Sequence, residues 1–140
     1  MSEHVTTSFN LHRSPLETAL EVLQRAVALS CLVFGVIYWI RLMGLFDGPE
    51  WRFDLMPLYW QATAAPLAVL FPFAAVGLWM LASWGPVIWA LCAGTEILMY
   101  GLFPSLFGDR PGLILLHLAV AAVYTALRVA ILVARRQSDD

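Results

Sequence analysis

The chain has 140 residues, the length of one domain, and its composition excludes an ordinary soluble one. Hydrophobic residues make up 61% of the chain and charged residues 13%, with a mean hydropathy of +0.76. Soluble domains run near 45–50% apolar and about 25% charged. The net charge is −2 and no lysine is present, which excludes the clustered basic face that nucleic-acid binding needs. Composition therefore predicts an integral membrane protein whose first partner is the lipid bilayer, with no nucleic-acid partner.

The first helix is predicted to begin outside the bilayer. Residues 1–13 are polar and form an N-terminal tail. Ser14, Pro15 and Glu17 then occupy the N-cap, first and third positions of a capping box. Because the polar first turns precede the apolar run, we expect about three helical turns before the membrane is reached.

Four apolar segments are each long enough to cross a bilayer, which takes roughly 20 residues. Gly- and Pro-containing stretches separate them, namely "FDGPEWRFD", the tight turn "SWGP", and "PSLFGDRPG". We predict an all-α fold, a four-helix bundle of transmembrane helices over residues 14–136, followed by an acidic C-terminal tail at 137–140. The predicted spans are residues 26–46, 57–82, 87–103 and 113–134.

The arginines near the span ends predict the orientation. Four spans place both termini on one side of the membrane, and the side richer in arginine is the cytoplasmic one. The terminal side has five arginines and the opposite side three. We therefore expect both termini in the cytoplasm. The five are Arg13, Arg25, Arg128, Arg135 and Arg136; the three are Arg41, Arg52 and Arg110.

The third span, "WALCAGTEILMYGLF", contains a single charged residue, Glu96. An ionised carboxylate at that depth costs several kcal/mol unless it is paired, so such residues are candidates for function by default. Two interpretations stay open. Glu96 either titrates a proton or binds a cation inside the bundle, or it is a structural carboxyl that is hydrogen-bonded to a neighbouring helix.

The fourth span has a polar stripe that can supply the partner of Glu96. His117, Tyr124 and Arg128 follow at spacings of seven and four, so they lie nearly in line on a helix. Counting from the outer ends of the spans sets Glu96 level with His117, whereas counting from the inner ends sets it level with Tyr124, within reach of Arg128. We expect Arg128 or Tyr124 to bind Glu96, since a deep charge most needs an opposite one. Alternatively, Arg128 extends to the inner interface.

A ladder of small residues runs along the opposite side of the fourth span. Its spacing of four lets helix backbones approach closely. A span with a polar face and an opposite small-residue face is expected to contact protein on both sides, which predicts an oligomer or a larger complex. The ladder comprises Ala122, Ala126, Ala130 and Ala134.

The sequence lacks the short motifs of the common enzyme classes. H-E-x-x-H, G-x-S-x-G and a Gly-rich phosphate loop are missing, as is an acidic cluster for a metal. A b-type haem would need paired histidines, and His117 is the only histidine within a span. We therefore expect no catalytic residues, no metal and no cofactor. Arg41, near the outer end of the first span, is expected to extend towards Asp47 or Glu50.

Spans 2 and 3, "AAVGLWMLASWGPVIWALCAGTEILMYGLF", resemble the middle of short four-span bacterial inner-membrane proteins. These include the DoxX-like group and uncharacterised proteins of alphaproteobacteria. The resemblance covers residues 26–134 and rests on span lengths, the W-G-P turn and the placement of aromatic residues. It implies a location in the cell inner membrane and lends no activity.

Two functional hypotheses follow, and the first is preferred. The chain is an interaction or assembly subunit of a membrane complex, associating with itself or with another membrane protein. Alternatively, it is a small proton-coupled transporter or channel in which Glu96 titrates. A redox or lipid-modifying enzyme is a third and weaker hypothesis, because it needs a cofactor site that the sequence does not contain.

Overall fold

A computed structural model describes residues 14–140, which form helices joined by short turns without any strand in that range. Four of the five helices are long and apolar enough to cross a membrane, and the remaining one is a single turn. This confirms the all-α, four-span architecture; the predicted tail at residues 1–13 lies outside the described residues. The helices are α1 (Pro15–Met43), α2 (Leu58–Trp79), α3 (Gly85–Leu102), α4 (Pro104–Phe107) and α5 (Pro111–Asp139).

The start of α1 has the predicted cap. The Ser14 side chain accepts a hydrogen bond of 3.3 Å from the backbone N–H of Glu17, and Pro15 occupies the first turn. The cap satisfies one of the donors that a helix start leaves free. At the other end, Gly44 takes the left-handed conformation with φ of 66°, which terminates α1.

Several boundaries differ from the predicted spans. The second helix ends at Trp79 rather than near residue 82, and Leu81 has a positive φ of 58° in the turn that follows. Pro104–Phe107 is helical within the predicted third loop, and α5 continues through most of the predicted tail at 137–140. Apolar composition marks the part of a helix that is embedded in the membrane, whereas the backbone hydrogen bonds continue until a turn breaks them.

The α1–α2 pair is closely packed where Gly35 meets Pro72. A Cβ built on Gly35 would come within 3.0 Å of the Pro72 ring, so the absence of a side chain permits the approach. Pro72 lacks an N–H and therefore leaves the carbonyl of Ala68, four residues earlier, without its helical donor. The indole N–H of Trp39 on α1 donates to that carbonyl at 2.8 Å. The proline in α2 is thus compensated by the neighbouring helix.

Two glycines allow the tight turn between α2 and α3. A Cβ on Gly85 would lie 2.6 Å from the backbone carbon of Gly77, and a Cβ on Gly77 would lie 2.5 Å from the ring of Trp84. These distances are too short for any side chain to fit without moving the backbone. The turn therefore holds α2 and α3 as an antiparallel pair.

The last helix is the least covered of the four spans. Only 11% of the most apolar stretch of α5 is buried, against 44% for α2. His117 and Ile131 are its buried residues, and α5 packs against α1 and α3. Its inward contacts are therefore few, and one of them is a polar side chain.

Candidate functional site

Glu96 lies on the buried face of α3, in the interior of the bundle. The helix buries residues at spacings of three and four, including Trp89, Cys92, Glu96 and Met99. Glu96 is 2% exposed and is among the most completely buried side chains of the described chain. Its carboxylate is therefore shielded from bulk solvent and needs partners within the bundle.

Both carboxylate oxygens of Glu96 have a partner from another helix. The hydroxyl of Tyr38 on α1 donates to Oε1 at 2.7 Å. Nε2 of His117 on α5 lies 2.7 Å from Oε2. Because the three residues come from α1, α3 and α5, this cluster joins three of the four spans through one carboxylate.

The contact between His117 and Glu96 has one proton along its line. Either Nε2–H donates to the carboxylate, or a protonated carboxyl donates to Nε2; the tautomer decides which atom is the donor. The imidazole is 3% exposed and stands near the rings of Phe34 and Trp89, each with a centroid distance of 6.1 Å. Packing and the hydrogen bond together therefore fix the position of the imidazole ring.

Cavities adjoin the cluster on both sides. One of about 30 Å³ is lined by His117 together with Ser30 and Cys31. Another, of about 60 Å³, is lined by Glu96, Tyr38, Arg41, Tyr100 and Arg110, with Phe34, Ile37 and Leu113. A water molecule needs roughly 10–15 Å³, so each cavity has room for at least one water beside the cluster.

The structure brings together two of the four residues that the sequence nominated. Glu96 and His117 are in contact, as the count from the outer span ends predicted. The expectation that Arg128 or Tyr124 binds Glu96 is wrong: Nε of Arg128 donates to the Tyr124 hydroxyl at 3.0 Å, on an exposed side of α5. Arg128 is therefore hydrogen-bonded to a neutral side chain of its own helix and does not contact the carboxylate of Glu96. The functional role of the four residues remains a prediction.

Sequence reasoning did not identify Tyr38 as a partner of Glu96. A signal was present, because Cys31, Gly35 and Tyr38 follow at spacings of four and three and lie on the buried face of α1. That face identifies Tyr38 as an inward residue. It does not identify Glu96 as the acceptor, since the depth of α1 against α3 is set by tertiary packing.

The prediction for Arg41 is also wrong. Its side chain does not extend to Asp47 or Glu50; it is 3% exposed and packs against aromatic rings of α1, α2 and the connection between them. Trp51 and Trp60 supply faces that accommodate a planar cation. The apolar stem and the guanidinium are therefore both covered.

The small-residue ladder of α5 remains largely uncovered. Ala122, Ala126 and Ala134 are exposed and Ala130 is half-buried. The face is therefore open to lipid or to another protein. Within residues 14–140, no three His, Cys, Asp or Glu side chains come together as a metal site would require.

The comparisons with known proteins identify a family and no activity. Residues 18–135 match a family described as "Family of unknown function (DUF6163)". No curated protein matches the chain, and no solved structure does. The family match gives no link to the DoxX-like group or to alphaproteobacterial proteins. Because it covers most of the chain, the protein belongs to the DUF6163 family of unknown function.

Proposed function

We propose that this protein is a small proton-coupled membrane transporter or channel in which Glu96 and His117 together bind and release a proton. The observation that carries the proposal is the 2.7 Å contact between Nε2 and Oε2 inside the apolar bundle. Proton-titrating groups in membrane proteins are typically carboxylates and histidines that face the bundle interior. This reverses the preference drawn from the sequence, where Arg128 or Tyr124 rather than His117 was expected to bind Glu96.

The pair changes its net charge by one whenever a proton enters or leaves. In an apolar interior such a change alters the electrostatic energy far more than it would in water. The Tyr38 hydroxyl donates to Oε1, the oxygen that His117 does not contact. Oε1 can accept this bond whether or not the pair holds the extra proton, so the bond keeps the carboxyl group oriented. The proton can therefore move while the helix positions are retained.

The cavities beside the pair supply the two approaches that proton transfer requires. The cavity of about 30 Å³ meets His117 on the side of Ser30, and the cavity of about 60 Å³ meets Glu96 on the side of Arg41. Ser30 precedes Arg41 by three turns along α1, so the two cavities lie towards opposite ends of the bundle. Water in them would extend the hydrogen bonds of the pair towards either end of the bundle.

The test is proton flux into liposomes that contain the purified protein and a pH-sensitive dye, driven by an imposed potential. Glu96→Gln keeps the size of the side chain and removes its ionisable carboxyl, so we expect flux to fall at least about a hundredfold, the lower end of the range for losing one proton-transfer group. Thr95→Ala is the matched control, because the Thr95 hydroxyl bonds to the carbonyl of Leu91 on the same helix. Flux in that variant should equal the wild-type value.

Two results would contradict the proposal. One is wild-type flux no greater than that of protein-free liposomes. The other is unchanged flux in a Glu96→Gln variant that elutes and retains helicity like the wild type.

The sparse packing of α5 favours a second function, that of an interaction or assembly subunit. The exposed ladder around Ala126 has the spacing that close helix contacts use. Crosslinking in native membranes, followed by purification in mild detergent and mass spectrometry, tests for a stoichiometric partner or a second copy. Ala126→Leu should reduce its recovery, whereas Thr125→Leu, at an exposed position about 100° around the helix from Ala126, should not.

We further propose that both termini face the cytoplasm of a bacterial inner membrane. The Arg135 side chain lies 2.9 Å from Glu17, so the start of α1 and the end of α5 are adjacent, and the arginine bias applies to both. Labelling of single cysteines in intact cells by an impermeant reagent tests this. A cysteine at Ser138 should be protected and one at Asp54 should be labelled; the reverse pattern would overturn the orientation.

A further inference from the structure

Arg41 is a buried cation within an aromatic cage formed by Tyr38, Trp51 and Trp60. The guanidinium carbon lies 5.8 Å from the Tyr38 ring centroid, 4.8 Å from that of Trp51 and 5.1 Å from that of Trp60. Ring faces attract a cation electrostatically but accept no conventional hydrogen bond from its N–H edge. The cage therefore covers the charge and leaves its donors unused.

Two of the three donor nitrogens of Arg41 are without partners in the described part of the chain. Nε and Nη1 are buried and make no hydrogen bond. None of the ion pairs found within residues 14–140 involves Arg41. A buried charge normally has both a counter-charge and hydrogen bonds, so Arg41 lacks what most buried arginines have.

A second arginine faces the same cavity. Arg110, exposed immediately before α5, lines the cavity of about 60 Å³ together with Arg41, and its guanidinium stands 5.5 Å from the Tyr100 ring centroid. Glu96 also lines this space, but its two oxygens are bound by Tyr38 and His117. Two guanidinium groups therefore share a cavity whose only carboxylate is already engaged.

We propose that this cavity binds a phosphate oxyanion between Arg41 and Arg110. Guanidinium groups bind phosphate through paired N–H donors, and the several oxygens of one phosphate can accept from two arginines at once. The phosphate belongs either to a lipid headgroup or to a soluble ion, since the end of α1 lies where a span meets the membrane surface. The site shares its cavity with the proton path proposed for Glu96 but uses other residues, so phosphate binding is measured without reference to proton flux.

The experiment uses the full-length protein in dodecyl maltoside, a detergent without charge or phosphate. Native mass spectrometry counts retained dioleoyl phosphatidylglycerol, with dioleoylglycerol as the phosphate-free lipid. Calorimetric titration with inorganic phosphate tests the soluble source. Arg41→Gln and Arg110→Gln remove one guanidinium each, and Arg52→Gln is the matched control, since Arg52 is a nearby arginine already paired with Asp54 at 2.7 Å.

We expect one phosphate-bearing ligand per chain, with affinity at least about tenfold weaker in either cavity variant, as loss of a charged hydrogen bond implies. Arg52→Gln should bind within about twofold of wild type. Binding of phosphatidylglycerol alone identifies a lipid headgroup site, and binding of inorganic phosphate as well identifies a site open to soluble anions.

If Arg41→Gln fails to fold, the test is made with Arg110→Gln, because Arg110 is exposed. Absence of binding by both probes, retention of dioleoylglycerol to the same extent, or equal weakening by Arg52→Gln overturns the proposal.

Discussion

Glu96 and Arg41 line the same cavity, but these two buried side chains differ in how many of their polar atoms have a hydrogen-bond partner. Both oxygens of the carboxylate are bound, by Tyr38 and by His117. The guanidinium is surrounded by ring faces, and two of its nitrogens make no hydrogen bond. Full pairing makes the first group a joint between helices, whereas incomplete pairing leaves the second able to receive a ligand. Burial alone therefore does not show whether a charged side chain can bind a further ligand; its remaining hydrogen-bond capacity does.

The largest expected effect comes from removing one partner of the paired charge. His117→Leu leaves Oε2 of Glu96 without a partner in an apolar site, so the free energy of unfolding should fall by about 3–5 kcal/mol. Unfolding in dodecyl maltoside with added dodecyl sulfate, followed by helical circular dichroism, measures this. Gly94→Ala on α3 is the control, because a Cβ there meets no atom within 4 Å. Equal stability of the two variants would show that the contact does not stabilise the bundle.

Tyr38→Phe tests the other half of the same joint. The ring next to Arg41 is retained and only the hydroxyl that donates to Oε1 is lost, so we expect a loss of about 1.5–3 kcal/mol in the same assay. A loss larger than that of His117→Leu would contradict the ranking and make the phenol the main partner of Glu96.

Arg41→Met should act in the opposite direction. Two donor nitrogens of this buried charge have no partner, so an apolar side chain in its place removes a desolvation cost that no hydrogen bond offsets. In phosphate-free detergent the stability should therefore rise by up to about 2 kcal/mol. Added phosphatidylglycerol should stabilise the wild type and leave the variant unchanged. A clear loss of stability without lipid would show that the ring contacts outweigh the missing hydrogen bonds.

The smallest effect is expected where no charge is involved. Trp39→Phe leaves the Ala68 carbonyl without its donor and should cost about 0.6 kcal/mol, the average for a hydrogen bond between membrane helices. In a Pro72→Ala background the helix regains its own N–H for that carbonyl, so the cost of Trp39→Phe should disappear. An equal cost in both backgrounds would mean that Trp39 acts through packing instead.

The local features of the chain were predictable because they depend on neighbouring residues. The Ser14 cap follows from Ser, Pro and Glu at set positions, and each span follows from the run of apolar residues that a bilayer requires. The end of α2 at Trp79 was less predictable, since the apolar sequence continues past it. Close contact between Gly77 and Gly85 requires the turn to start there, and that contact involves two helices.

The partner of Glu96 could not be assigned because a spacing along one helix carries no information on its depth against another. Counting residues from the outer span ends set His117 level with Glu96, and counting from the inner ends set Tyr124 level with it. Nothing in the sequence favoured one count over the other, and the structure agrees with the outer one. Arg41 illustrates the same difficulty, since its cage includes Trp51 from a connection and Trp60 from α2.

By itself, the sequence determined four helices that are long and apolar enough to cross a membrane, with one carboxylate in the third, because hydropathy and capping act over a few residues. Only the tertiary structure decided that Tyr38 and His117 bind that carboxylate and that Arg41 keeps unused donors. Those pairings depend on the relative depth and rotation of α1, α3 and α5, which are set by close packing at positions such as Gly35 against Pro72.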